Sequence, residues 1–153
     1  MELSKITKLD EKYYCPVFGR RLPVCFVRGE DVYLFDGEGR KYTDFLSGIA
    51  VNCLGYSDEG FKKALCGAVY NLMHTSNYFY NENQAKLAKL LCESAGFDNV
   101  FLANSGAEAM EGALKLARKH HYNNGKPRAH YVTMRQSFHG RTLATLAATG
   151  QKK

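Results

Sequence analysis

Val100-Phe101-Leu102-Ala103-Asn104-Ser105-Gly106-Ala107-Glu108-Ala109 runs from a short apolar stretch through a turn of small residues into the start of a helix. The apolar stretch predicts a strand. The turn has two readings. Unpaired N–H groups of a first helical turn, the positive end of the helix dipole and the lack of bulk at Gly106 and Ala107 suit a phosphate or another anion. Ser105 and Glu108 also have the spacing of a capping box, which satisfies the helix end and binds nothing.

Outward from this turn the pattern continues. Met110, Ala113, Leu114 and Ala117 form one apolar helical face, acids stand in the first turns and Lys115, Arg118, Lys119 and His120 near the end, as the dipole favours. Asn123-Asn124-Gly125 and Pro127 stop the helix. Ala129 to Met134 reads as a second strand, Gln136 to Arg141 as a loop and Thr142 to Thr149 as a small-residue helix. Strand, helix, strand, helix predicts an α/β fold with a parallel sheet whose strand ends carry the site.

The loop Ser137-Phe138-His139-Gly140-Arg141 offers a flat ring, an imidazole, close backbone approach and a guanidinium fork for a carboxylate. Each residue alone also fits a core Phe, a surface His, a turn Gly or a solvated Arg. Together with Asn104 to Ala109, however, they resemble the N-terminal part of the class III pyridoxal-phosphate-dependent aminotransferases, and among these the acetylornithine aminotransferases of arginine biosynthesis. The resemblance extends from about Tyr14 to Gln151. It includes the β-hairpin of Gly29 to Asp44, Leu46 to Asn52, His74-Thr75-Ser76-Asn77, Phe101 to Arg118 and Ser137 to Thr142. Ornithine, succinylornithine and 4-aminobutyrate aminotransferases share much of it.

The resemblance implies pyridoxal 5′-phosphate as cofactor, with the backbone of Ser105, Gly106 and Ala107 on its phosphate, Phe138 stacked on its ring and His139 beside it. It implies that Arg141 clamps the α-carboxylate of the amino-acid substrate and then that of 2-oxoglutarate, and that Val51 and Asn52 line the substrate cavity. It also implies a homodimer and the fold-type I architecture: residues 1–60 as an N-terminal segment with a β-hairpin, 61–97 as connecting helices, and 98–153 as the start of the large cofactor-binding domain. A cytoplasmic location is expected separately, from the cysteine pattern and the lack of a signal-like or membrane-spanning run. The family's Leu-Gly-His followed by His-Pro is replaced by Leu54-Gly55-Tyr56-Ser57-Asp58-Glu59, and its Asn after Glu-Ala by Met110, read as a packing position.

Transamination needs a Schiff-base lysine and an acidic partner for the pyridinium nitrogen. In the family both come from strands downstream of the Phe-His-Gly-Arg loop, and no lysine of this chain lies in a motif resembling that one. The expectation is therefore a truncated N-terminal fragment with no catalytic residue of its own, inactive alone. Two other readings stay open: a non-catalytic partner subunit, and a plain α/β domain whose turn binds some other phosphate.

Composition fits part of an ordinary metabolic enzyme. The 153 residues are 45% hydrophobic and 24% charged, so disorder is not forced. Five cysteines lack CxxC spacing and a His partner at metal-ligand distance, which favours reduced packing cysteines over disulfides or a metal site. No apolar run approaches membrane-spanning length. The net charge of +6 is scattered along the chain, which argues against nucleic acid as a partner. The first twelve or so residues read as polar and mobile, Gly37-Glu38-Gly39 as a hairpin turn, and Phe61 to Met73 and Glu82 to Ser94 as core-facing helices, the latter ended by Gly96.

Overall fold

A computed structural model describes residues 2–151, and the chain divides into two compact units, Met1–Ser76 and Asn77–Lys153. In the first unit, Leu3, Ile6, Leu9 and Tyr13 recur every three or four positions and form helix α1 (Leu3–Tyr13) where a mobile segment was expected. The polar residues between them hid an amphipathic period. Strands β1 (Phe26–Glu30), β2 (Tyr33–Asp36) and β3 (Lys41–Thr43) then make an antiparallel meander, with Gly29 opposite Leu34, and Tyr33 and Phe35 opposite Thr43 and Lys41.

The β2–β3 turn falls where the glycines placed it, and Asp36 organises it. Its carboxylate, 4% exposed, accepts from the N–H groups of Glu38 and Arg40 (both 3.0 Å), Arg40 Nε (2.7 Å) and the Tyr42 hydroxyl (3.0 Å). Burial pushes this carboxyl up, but the Arg40 guanidinium and the other donors outweigh it and hold the pKa at about 2.

After β3, Asp44 accepts from the N–H groups of Leu46 (2.8 Å) and Ser47 (2.9 Å) and from the Tyr56 hydroxyl (2.6 Å). It thereby braces a short turn, α2 (Ser47–Ala50), in which four successive residues have φ between 48° and 67°. For a β-branched residue such as Ile49 this left-handed region is strained. The Tyr56 ring lies so close to Gly29 that a Cβ there would come within 2.4 Å of it. Helix α3 (Glu59–Asn71) starts two residues before the sequence reading because Asp58 caps it through Phe61 N (2.6 Å).

In the second unit, helix α4 (Glu82–Ala95) has the expected Gly96, in the left-handed conformation, at its end, and Asn81 caps its start. Helices α5 (Gly106–Asn123) and α6 (Leu143–Ala148) also form as read, with Ser105 and Thr142 as their N-caps. The two strands do not form. Val100 to Ala103 and Ala129 to Met134 are without ladder partners, and the meander is the only sheet among the described residues. Both segments nevertheless lie on α5: the Phe101 ring meets Gly112, and the Tyr131 hydroxyl donates to the Leu114 carbonyl at 2.6 Å. An apolar pattern marks side chains to be covered, but a strand also needs a neighbour. Consecutive strands are neighbours in only roughly two-thirds of cases, and parallel ones pair only across a crossover.

No apolar side chain among the described residues is buried. The accessible surface is 13982 Å², against roughly 7,800 Å² expected of a globular monomer of 17.2 kDa. All five cysteines are free thiols, and Cys15, Cys53 and Cys66 are exposed rather than packed. Among the described residues no helix is long and apolar enough to cross a membrane.

Candidate cofactor and substrate site

At the start of α5, Ser105 Oγ accepts from Glu108 N (3.2 Å) and the Ser105 carbonyl from Ala109 N (3.0 Å), while the N–H groups of Gly106 and Ala107 have no partner among the described residues. Half of the expected capping box is present. The Glu108 carboxylate turns back to Asn104 instead, accepting from its backbone N (2.9 Å) and Nδ2 (3.1 Å). Nothing lies within 4 Å of a Cβ built on Gly106. Two free donors at an open, unobstructed helix end are what an anion requires.

The Phe138 to Arg141 loop is brought against this turn from the other side. Gly140 has φ 129° and is buried, and a Cβ on it would lie 2.7 Å from both Ala107 Cβ and Thr145 Oγ1. Three threonines on one face of α6 hold the loop. Thr149 Oγ1 accepts from His139 N (3.1 Å), the fully buried Thr145 Oγ1 accepts from Thr142 N (3.0 Å), and Thr142 Oγ1 donates to Glu111 Oε1 of α5 at 2.5 Å. The loop backbone closes at its base through Gln136 N to the Gly150 carbonyl (2.9 Å) and Gly150 N to the Ser137 carbonyl (3.1 Å).

The result is an open cleft of about 530 Å³ lined by Gly106, Ala107, Met110 and Phe138 to Arg141. Arg141 lies with its guanidinium carbon 5.3 Å from the Phe138 ring centroid and forms no ion pair among the described residues. An aromatic face, a free guanidinium and two free N–H groups thus open onto one space. Ser105 stands behind it as the cap. Val51 and Asn52 belong to the other unit, after the α2 turn, with Asn52 N donating to the Ser47 carbonyl at 3.0 Å.

Met110, read from sequence as packing, lines the cleft. Glu111 and the three threonines were missed as well. Their signal was the spacing of Thr142, Thr145 and Thr149, three and four residues apart directly after the loop, which puts three hydroxyls on one face of a short helix.

The family model for aminotransferase class-III matches residues 14–153. The chain belongs to the class III aminotransferases. Its members are pyridoxal-phosphate-dependent transaminases. The acetylornithine aminotransferase of Haemophilus ducreyi is 44% identical over 153 residues, 99% of this chain and 39% of that protein. That of Ralstonia nicotianae is 50% identical over 135 residues, 86% of this chain and 34% of its own. Among solved structures, an ornithine aminotransferase from Toxoplasma gondii with partial occupancy of PLP at its active site superposes with a TM-score of 0.88 at 27% identity, over 98% of this chain and 36% of its own. The acetylornithine aminotransferase from Elizabethkingia anophelis gives 0.75 at 37%, over 82% and 33%. The chain therefore spans little more than a third of the length of the relatives it matches, and its fold is the N-terminal part of theirs.

Proposed function

We propose that this chain forms the N-terminal third of an acetylornithine aminotransferase, an enzyme converting N2-acetylornithine and 2-oxoglutarate to N-acetylglutamate 5-semialdehyde and glutamate. The observation that carries the reading is the single cleft shared by the free helix end at Gly106 and Ala107, the Phe138 ring and the Arg141 guanidinium. Pyridoxal 5′-phosphate bound there supplies the electron sink for amino-group transfer. The N–H groups of Gly106 and Ala107 hold its phosphate, Phe138 covers one face of its ring with His139 alongside, and Met110 closes the apolar side. Arg141 forks onto the α-carboxylate of each substrate in turn, a task for which a planar guanidinium suits better than an ammonium. By the family resemblance, Val51 and Asn52 contribute to the substrate cavity. Residues 98–153 open the large cofactor domain, after an N-terminal segment (1–60) and connecting helices (61–97). The Schiff-base lysine comes from polypeptide beyond these residues, and the complete enzyme is a cytoplasmic homodimer.

A chimera tests this, in which residues 1–151 replace the matched third of the Haemophilus ducreyi relative. Glutamate formation should be faster with N2-acetylornithine than with ornithine or 4-aminobutyrate. A chimera that binds the cofactor, seen by its visible absorbance, yet turns over none of the three donors would refute the reading. Preference for ornithine would transfer it to that branch.

A further inference from the structure

On α5, Lys115, Arg118, Lys119 and Tyr122 follow at helical spacing on the face turned away from Met110, Ala113, Leu114 and Ala117. Beyond the helix the chain doubles back. Gly125 takes φ 67°, its N–H donates to the Tyr122 carbonyl (3.0 Å) and Lys126 N to the His121 carbonyl (3.0 Å), so that Pro127 and Arg128 run along the same face. The fold thereby gathers charges that are scattered in the sequence. Lys115, Arg118, Lys119, Tyr122, Pro127 and Arg128 line an open cleft of about 570 Å³, within the size range of small-ligand sites.

No carboxylate lines this cleft, and among the described residues none of its four cations is in an ion pair. Elsewhere several helical lysines of this chain are paired, although among the described residues Lys8, Lys12 and Lys63 are not. Lys62, Lys86 and Lys89 each meet a glutamate three or four residues away, at 2.8, 2.5 and 3.6 Å. Lys119 Nζ instead stands 5.3 Å from the Tyr122 ring centroid. Four unpaired like charges around one cavity repel one another until an anion enters. The negative end of the α5 dipole opposes an anion only within the last turn, short of Lys115 and Arg118. A helix hides its apolar stripe, so the basic face opposite is the one left in solvent when α5 is covered.

We propose that this cleft binds a small oligophosphate of the nucleotide class. Two guanidiniums fork onto phosphoryl oxygens, two ammoniums add compact charge, and the Tyr122 ring packs on the ligand's flat or sugar part. A di- or triphosphate concentrates three to four charges within a few ångströms, matching four cations where a mono- or dicarboxylate would leave some unmatched. The site is independent of the transaminase reading.

Equilibrium dialysis of the 153-residue chain against metal-free ATP and against pyrophosphate tests it, since dialysis reads binding in any oligomeric state. The neutral quadruple variant Lys115→Gln, Arg118→Gln, Lys119→Gln, Arg128→Gln should bind at least tenfold more weakly. A control removing the same charge elsewhere (Lys62, Lys63, Lys86 and Lys89, each to Gln) should change affinity less than twofold, as should Arg141→Ala. All are surface changes, and helix content by circular dichroism checks the fold. Equal losses in both quadruple variants would mean attraction by net charge alone and would overturn the proposal. So would no binding by the parent chain at millimolar ATP, or affinity for single-stranded RNA that exceeds that for ATP and grows with length.

Discussion

Gly140→Ala should disable the cleft by forcing the loop away from α5, with no side chain removed. At φ 129° an alanine is strained, which costs about 1–3 kcal/mol. Its Cβ would also lie 2.7 Å from Ala107 Cβ and Thr145 Oγ1, and 3.1 Å from Ala107 Cα. Ordinary carbon contacts begin near 3.5 Å, so loop and helix must separate by roughly 0.5–1 Å, at a further cost of about 1–3 kcal/mol for overpacking. Because Thr145 is fully buried and bonded to Thr142, the loop gives way before the helix does. Phe138 and Arg141 then shift relative to Gly106 and Ala107. The sum, about 2–4 kcal/mol after partial relaxation, corresponds to a roughly 30- to 1,000-fold larger opening equilibrium for the loop. Hydrogen exchange at His139 and Thr142 in the isolated chain reads that opening, and cofactor dissociation from the chimera reads the consequence. Gly106→Ala is the matched control, because its Cβ meets nothing within 4 Å: exchange should be unchanged, while the cofactor weakens if its phosphate sits on that backbone. Unaltered exchange and cofactor affinity in Gly140→Ala would refute the close packing of loop on helix from which the cleft is built.

Arg141→Lys in the chimera keeps the charge but loses the paired hydrogen bonds, which should cost about 2–3 kcal/mol, or ~30- to 150-fold in kcat/KM for both N2-acetylornithine and 2-oxoglutarate, with cofactor affinity little changed. Weakened cofactor binding with unchanged substrate kinetics would move Arg141 to the cofactor. The chain alone, given both substrates and the cofactor, should form no glutamate above the enzyme-free rate; sustained turnover would contradict the missing-lysine argument. At micromolar concentration light scattering should report oligomers, since Phe45, Val132 and Leu143 are at least 90% exposed, and a stable monomer would count against it. Asp36 has a folded pKa of about 2 against an ordinary 3.8, so its support of the β2–β3 turn is complete above the ordinary value and is lost as pH falls through about 2. The amide shifts of Glu38 and Arg40 should move together there, and Asp36→Asn should abolish that transition.

The parts of this fold legible in the sequence are those whose partners are close along the chain. The cap at Ser105, the stop at Gly96 and the turn at Gly37 to Gly39 are all satisfied within a few residues, as are the caps at Asn81 and Thr142 that the sequence reading misses, and the helices and hairpin they bound form where local chemistry put them. Apart from α1, whose local amphipathic period was overlooked, the elements misread depend on distant neighbours. Val100 to Ala103 and Ala129 to Met134 have the composition of strands and even lie on α5, but a ladder needs a partner the described residues do not supply. The candidate site divides in the same way. Gly106, Ala107, Phe138 and Arg141 stand in two recognisable motifs, whereas Glu111 and Thr149 become meaningful only once the loop is folded onto α5. The unburied apolar faces follow from the same separation. A surface nearly twice that of a globular monomer of this mass leaves about 6,000 Å² to be covered, several times a standard protein interface. At such a scale the helices and hairpin hold their own geometry, while a sheet and a core require polypeptide from elsewhere. On the proposed reading the cleft at Gly106 and Phe138 is in that sense half of a site: the free N–H groups and the guanidinium are placed locally by α5 and the loop before α6, and the remaining wall would come from whatever covers the apolar stripe of α5.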